Sequence, residues 1–326
     1  MSSNTSVPVT TSMPQSNIIQ ATYLICVIVV ALLGNLSIVT VILRKQLLEN
    51  VTNYFILNLA ISDFLNAALK MTTSVAGLFD RNWYPSNDVC YFTTPCGVLF
   101  GAASVLSLSS VAVTRYLVIS WPFSYATKVT SSLACTVLAG VWCASIILSF
   151  PPITWRPATI ICRSGAVSSA YYDSELIYLI ALWLFVIVLP SAVMFTSYFR
   201  IYRVTSAHLA RIAGTIAQGQ RQTTRWKREL RAAMVLASIG GIFILCWLPF
   251  FVMQTLHKFA SHKTDPMYFK IFLCWMYTNS ALNPILLVLF NNEIKVAMRR
   301  LLCLRHRVMP GAPGSQLEQR TDVGNG

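Results

Sequence analysis

Seven stretches of this chain are each long and apolar enough to cross a lipid bilayer, and that feature limits what it can fold into more than any other. The hydrocarbon core takes about 20 mostly apolar helical residues to cross, because backbone polar groups there must bond within their own segment. The stretches run from Ile18 to Leu43, Tyr54 to Phe79, Cys90 to Ile119, Ser131 to Ile153, Leu176 to Ile201, Leu230 to Leu256 and Met267 to Phe290. With 55% hydrophobic and 11% charged residues among 326, the chain carries too little charge to solvate a globular surface of its size. The expected fold is therefore an all-α integral membrane bundle of seven transmembrane helices. Residues 1–17 form an outer tail, 18–290 the membrane domain, 291–304 a membrane-surface helix and 305–326 a disordered inner tail.

Basic residues set the orientation, since Lys and Arg beside the spans are retained on the cytoplasmic side. With the N-terminus outside, the cytoplasmic segments hold 18 of the 25 Lys and Arg, and Lys70 alone lies well inside a span. The net charge of +14 then reports topology and contact with anionic lipid or an acidic partner, and nucleic acid is the weaker reading because no soluble basic domain exists. No Lys or Arg precedes the first span, so it reads as a permanent anchor rather than a cleaved signal. Asn4 begins an Asn-Thr-Ser glycosylation sequon on the outer side.

Connections are short, which places function inside the bundle or on its loops. Cys90, at the outer start of span three, and Cys162, in the longest outer loop, both face an oxidising compartment, so a disulfide between them is allowed. After span seven, residues 291–304 place Ile294, Ala297, Leu301 and, less strictly, Val296 near helical spacing among basic residues, as an amphipathic surface helix requires. Cys303 at its end is a candidate for palmitoylation, or an unmodified thiol against lipid.

Ionisable groups at bilayer depth are costly and usually functional. Two stand well inside a span, Asp63 and Lys70, seven residues apart and so on one helix face about 10 Å apart. Asn35, Ser104, Asn279, Ser280 and Asn283 can supply oxygens near the depth of Asp63, which suits either a small hard cation or a water-filled network. Pro190, Pro249 and Pro284 fall inside spans five to seven as candidate bends.

Taken in order, these residues resemble the rhodopsin-like (class A) G protein-coupled receptor family. The resemblance rests on Gly34-Asn35, Leu59-Ala60-Ile61-Ser62-Asp63, Thr114-Arg115-Tyr116 followed by Trp121-Pro122-Phe123, Trp142, Pro190 with Tyr198, Phe243 with Cys246-Trp247-Leu248-Pro249, and Asn283-Pro284. It implies a receptor that transmits an extracellular ligand signal to a heterotrimeric G protein through movement of helix six. In that scheme Trp247 is the toggle, Phe243 and Pro249 transmit its motion, and Tyr116, Tyr198, Asn283 and Pro284 belong to the switch. Arg115 binds G protein when active and pairs with Glu229 at rest. The resemblance also groups Asp63, Ser104, Asn279 and Asn283 as an allosteric sodium site, with no cofactor required, and matches Cys90 and Cys162 to an outer disulfide. Two positions depart from the family: Thr114 replaces an acid beside the arginine, and Leu287 a tyrosine after Asn-Pro. Their effects on basal activity oppose each other.

Phe250, Phe251, Trp247 and Tyr277 resemble the amine-receptor branch most, yet Gly97 stands where those receptors carry the amine-pairing aspartate. A buried ammonium without a carboxylate is expensive, which disfavours a biogenic amine and favours an apolar or anionic ligand. Lys70 then either holds an anionic headgroup in the membrane-embedded pocket, or reaches outward to water or to Asp80 or Asp88. A non-signalling receptor-like scaffold and a seven-helix transporter are the alternatives, and an enzyme is disfavoured because no nucleophile and base pair stands out. The expected location is the plasma membrane.

Overall fold

The computed structural model describes residues 15–44, 47–79, 87–121, 129–155, 172–212, 219–259 and 266–306. They form eight helices. α1 is Gln15–Arg44; α2 joins Thr52–Leu65 and Thr72–Phe79 through a π-helical turn, Asn66–Met71; α3 is Asn87–Ser120; α4 is Ser131–Ser149, followed by a 3-10 turn, Pro151–Thr154. α5 joins Tyr172–Leu182 and Leu189–Ile212 through a second π-helical turn, Trp183–Val188; α6 is Gly219–Phe259, α7 Pro266–Phe290 and α8 Asn292–His306. Six of these are long and apolar enough to cross a membrane. The seventh span is α2, whose apolar character is diluted by Asn53, Asn58, Asp63, Asn66 and Lys70. The seven spans make one bundle, whose upper end is taken here as the one where α1 begins.

Side chains fix where several helices start. Thr130 accepts the Leu133 N–H at 3.3 Å and caps α4. Asn291 accepts from the Glu293 and Ile294 N–H groups at 3.1 and 3.4 Å, ending α7 and starting α8 with one residue between them. α8 then buries Ile294 and Ala297 while Val296, Arg299 and Arg300 stay exposed, an amphipathic pattern.

The core runs along the bundle axis, from Leu24 and Ile38 through Leu59, Met71, Val105, Phe243 and Tyr277 to Leu287 and Ile294. On the outside, Phe195 is 72% exposed, Ile147 71% and Leu245 65%, so large apolar side chains face outward around the spans. Lipid solvates such a surface, whereas water would drive it to aggregate.

Two prolines free backbone carbonyls, and a neighbouring helix satisfies each. Pro284 has no N–H to return to the Ser280 carbonyl, and the Asn35 amide of α1 donates to it at 3.0 Å. Pro249 leaves the Leu245 carbonyl free in the same way, and the Trp275 indole N–H of α7 donates to it at 3.0 Å. Gly34 lets α1 lie against the Pro284 ring, where an added Cβ would sit 2.7 Å from Cγ.

Candidate functional site

α2 and α3 run antiparallel in a register that brings the predicted intramembrane charges onto one face. Asp63 meets Ser104, and Lys70, seven residues later, meets Gly97, seven residues earlier on α3. Below them Asn58 donates to Ser107 at 2.8 Å and accepts the Trp142 indole N–H at 2.9 Å, which ties α4 to the same seam.

Asp63 is 2% exposed, and three donors reach its carboxylate: Asn283 at 2.7 Å, Ser280 at 3.0 Å and Ser104 at 3.4 Å. Asn279 makes no hydrogen bond to Asp63, although both line the same cavity. Ser280, an oxygen source in the sequence but outside the narrower set implied by resemblance, is a direct partner. It also accepts the Asn66 amide at 3.3 Å. Asn66 was legible as a polar residue one turn above Asp63, and sequence reasoning did not single it out. The side-chain carbonyl oxygens of Asn35, Asn66, Asn279 and Asn283 are buried without a partner among the described residues. A carboxylate amid uncommitted amide and hydroxyl oxygens is a donor set that suits a small hard cation or an ordered water.

The cavity at this layer has a volume of about 10 Å³ and is bounded by Asp63, Asn66 and Ser104 below and Gly97, Gly101, Trp247 and Tyr277 above. It has room for roughly one water molecule. It is closed because α3 presents bare backbone there and neighbours fill the space. A Cβ on Gly101 would lie 2.2 Å from Trp247 Cη2, and one on Gly97 would lie 3.3 Å from Lys70 Cγ and 3.5 Å from its Cε. The indole and the lysine stem thus lie directly on α3. Lys70 is half-buried, with the Cys96 thiol close enough to feel its charge. No hydrogen bond or ion pair holds its ammonium among the described residues.

Trp247 belongs to an aromatic column along α6. It stacks on Phe243 at 5.2 Å between ring centroids and contacts Phe251 at 6.0 Å, which packs edge-on against Trp183 of α5 at 5.5 Å. Trp183 donates to Thr255 at 2.9 Å and holds α5 against α6 beside the π-helical turn. Tyr277 lines the cavity and meets Ser74 at 3.2 Å. Phe250, grouped with the pocket by sequence, instead packs on Phe269 of α7 at 5.4 Å and does not line this cavity.

At the lower end, Arg115 is half-buried and its Nε has no partner among the described residues. The Thr114 hydroxyl donates to the Ser110 carbonyl one turn back, at 2.7 Å, so it offers Arg115 no restraint. Tyr116 packs edge-on against Trp121 at 5.4 Å and beneath the Arg200 guanidinium at 5.7 Å. Tyr198 packs with Tyr116, Ile119 and Ile201. Leu287 is 1% exposed in the core. The side chains of Asp88, Cys90, Glu229 and Cys303, together with Asn4, Asp80 and Cys162, lie outside what the structure describes, as do residues 1–14 and 307–326.

Among the described residues the spans form one seven-helix membrane bundle around a small central cavity. Residues 34–287 match the 7 transmembrane receptor (rhodopsin family) model, and the chain belongs to that family. It is a G protein-coupled receptor by family, a multi-pass membrane protein and not an enzyme. Its relatives include the D(1A) dopamine receptor of Didelphis virginiana, 31% identical over 88% of this chain and 74% of the relative. The D(1)-like dopamine receptor of Takifugu rubripes is 29% identical over 93% of this chain and 73% of the relative. The 5-hydroxytryptamine receptor 4 of Cavia porcellus is 30% identical over 88% and 80%.

Proposed function

We propose that the protein sits in the plasma membrane with its N-terminus outside and signals to a heterotrimeric G protein at the lower end of the bundle. The observation that carries this reading is the state of Arg115: a guanidinium at the lower mouth whose Nε is unpartnered among the described residues and whose neighbour Thr114 is bonded elsewhere. One donor of the guanidinium is therefore uncommitted among the described residues, as a group that later takes an acceptor requires. The basic lower segments fit the cytoplasmic side. Above it, the Phe243, Trp247 and Phe251 column connects the cavity to α6, so a change at Trp247 is a change in where α6 packs.

The cavity layer around Asp63 takes a sodium ion in this reading. Asp63 and Ser104 with the free amide oxygens of Asn279 and Asn283 would hold it, and Ser280 joins them because its hydroxyl already touches the carboxylate. Bound there, the ion supplies a positive charge that fixes α2, α3 and α7 together in the resting packing.

The ligand is anionic or apolar. Several relatives are named for amines, dopamine and 5-hydroxytryptamine, but here Gly97 stands where that branch is expected to place its aspartate, and the Lys70 stem covers it. A second ammonium beside Lys70 without a carboxylate would be repelled as well as desolvated.

Capture of purified nucleotide-free G protein heterotrimers tests the coupling. Wild type retains one class, and Arg115→Ala loses it at equal receptor amount; equal capture by both would exclude Arg115 as the coupling group.

A further inference from the structure

Gly97, Gly101 and Ser104 fall at i, i+4 and i+7 on α3 and so line one face, the first two without side chains. Opposite lie Trp247 and Tyr277, and the two occupants of the bare strip are the ends of flexible or rotatable side chains, the Lys70 stem and the Trp247 ring. Displacing the two would open a flat slot between backbone and aromatic rings. Its top is a lysine ammonium unpaired among the described residues. Its floor is polar, with the Asn66 and Asn279 amide oxygens buried and lacking donors.

From this arrangement we infer that the ligand is a short aromatic carboxylic acid whose ring carries an N–H or O–H donor, a hydroxyaryl or indolyl acid. The inference rests on the anionic-ligand reading above and names its chemistry. The ring takes the place of the lysine methylenes on Gly97 and of the Trp247 ring edge on Gly101, and packs against the displaced indole and Tyr277, an aromatic setting that favours a planar partner. The carboxylate draws the Lys70 ammonium with it, a charge-assisted pair in place of an unpaired cation. The ring donor reaches down to the free oxygen of Asn66, one turn below Lys70 on the same helix. A long acyl chain is disfavoured by the same floor, because its tail offers no donor to the buried amide oxygens of Asn66 and Asn279.

The test is thermal stabilisation and equilibrium binding on the purified full-length receptor in lipid nanodiscs, which needs no G protein and so fails separately from the coupling proposal. The probes are 4-hydroxyphenylacetate, its neutral amide, tyramine and phenylacetate. The acid binds at least about tenfold tighter than its amide, as one charge-assisted hydrogen bond implies. Tyramine, with the opposite charge, does not stabilise the receptor. Lys70→Met removes the preference for acid over amide, whereas K70R keeps it. Asn66→Ala brings 4-hydroxyphenylacetate to the affinity of phenylacetate and leaves phenylacetate unchanged. Failure of every acid to bind, equal binding of acid and amide by the wild type, or tighter binding of tyramine would overturn the proposal. The wild-type comparison decides even if a variant fails to fold.

Discussion

The Trp275 indole N–H of α7 bonds the Leu245 carbonyl of α6 at 3.0 Å, the carbonyl that Pro249 leaves without its helical donor. The proline turn of α6 is thereby tied to α7 one turn above Asn279, on the face turned to lipid. This bond must break or slide if α6 moves relative to α7. Trp275→Phe keeps the ring and removes the donor. We predict higher ligand-free signalling and a melting free energy lower by about 1 kcal/mol. An unchanged baseline with unchanged stability would show that the bond does not restrain α6.

Gly101 is the seat of Trp247. Gly101→Ala puts a methyl 2.2 Å from the indole, so the ring must leave its place. The expected cost is about 1–3 kcal/mol of overpacking. Tryptophan emission, read against a Trp247→Phe control, should shift. A silent spectrum with wild-type melting would mean that the ring does not rest on α3.

Gly34 and Gly140 make a matched pair. Gly34→Ala meets the Pro284 ring at 2.7 Å, part of the backbone and unable to rotate away, whereas Gly140 has nothing within 4 Å. We expect Gly34→Ala to lower the melting temperature and Gly140→Ala to leave it unchanged or raise it, since alanine favours a helix over glycine. Equal effects would contradict the close approach of α1 and α7.

Asp63 would provide the charge for the proposed sodium site. Wild-type receptor should melt higher in sodium chloride than in an equal concentration of choline chloride, and Asp63→Asn should lose the difference. The same dependence in both proteins would remove the sodium proposal and leave a hydrated hydrogen-bond network.

Gly97→Asp tests the charge inversion of the pocket. The new carboxylate would stand beside the Lys70 stem, 3.3 Å from a Cβ at that position, and pair with the ammonium internally. We expect anionic-ligand binding to fall and amine binding not to appear; the double variant Gly97→Asp with Lys70→Met is the one that should take tyramine. Amine binding by the single variant would show that Lys70 does not reach this position.

The spans and the shared face of Asp63 and Lys70 were legible because hydropathy and helical spacing are local signals. Their partners were less so. Ser280 rather than Asn279 reaches Asp63, and that depends on how α7 is rotated around Pro284, which follows from Asn35 and Gly34 far away in sequence. The two π-helical turns, each adding a residue to its helix, leave no hydropathy trace. Phe250 entered the pocket set through resemblance to the amine-receptor branch, and its packing on Phe269 is a fact of three-dimensional structure that the sequence does not carry. The missing side chain of Gly97 reads in sequence as an absence; the lysine that lies over it is a long-range fact.

Guanine-nucleotide exchange reads signalling through Arg115 at its first step. Receptor in nanodiscs is mixed with each Gα class in turn, wild type against Arg115→Ala and Thr114→Asp. If the restraint lost at Thr114 outweighs the tyrosine lost at Leu287, the wild type should accelerate exchange on one class without ligand, Arg115→Ala should abolish the acceleration, and Thr114→Asp should reduce it. Exchange on every class no faster than that of Gα alone, or acceleration that survives Arg115→Ala, would contradict the account.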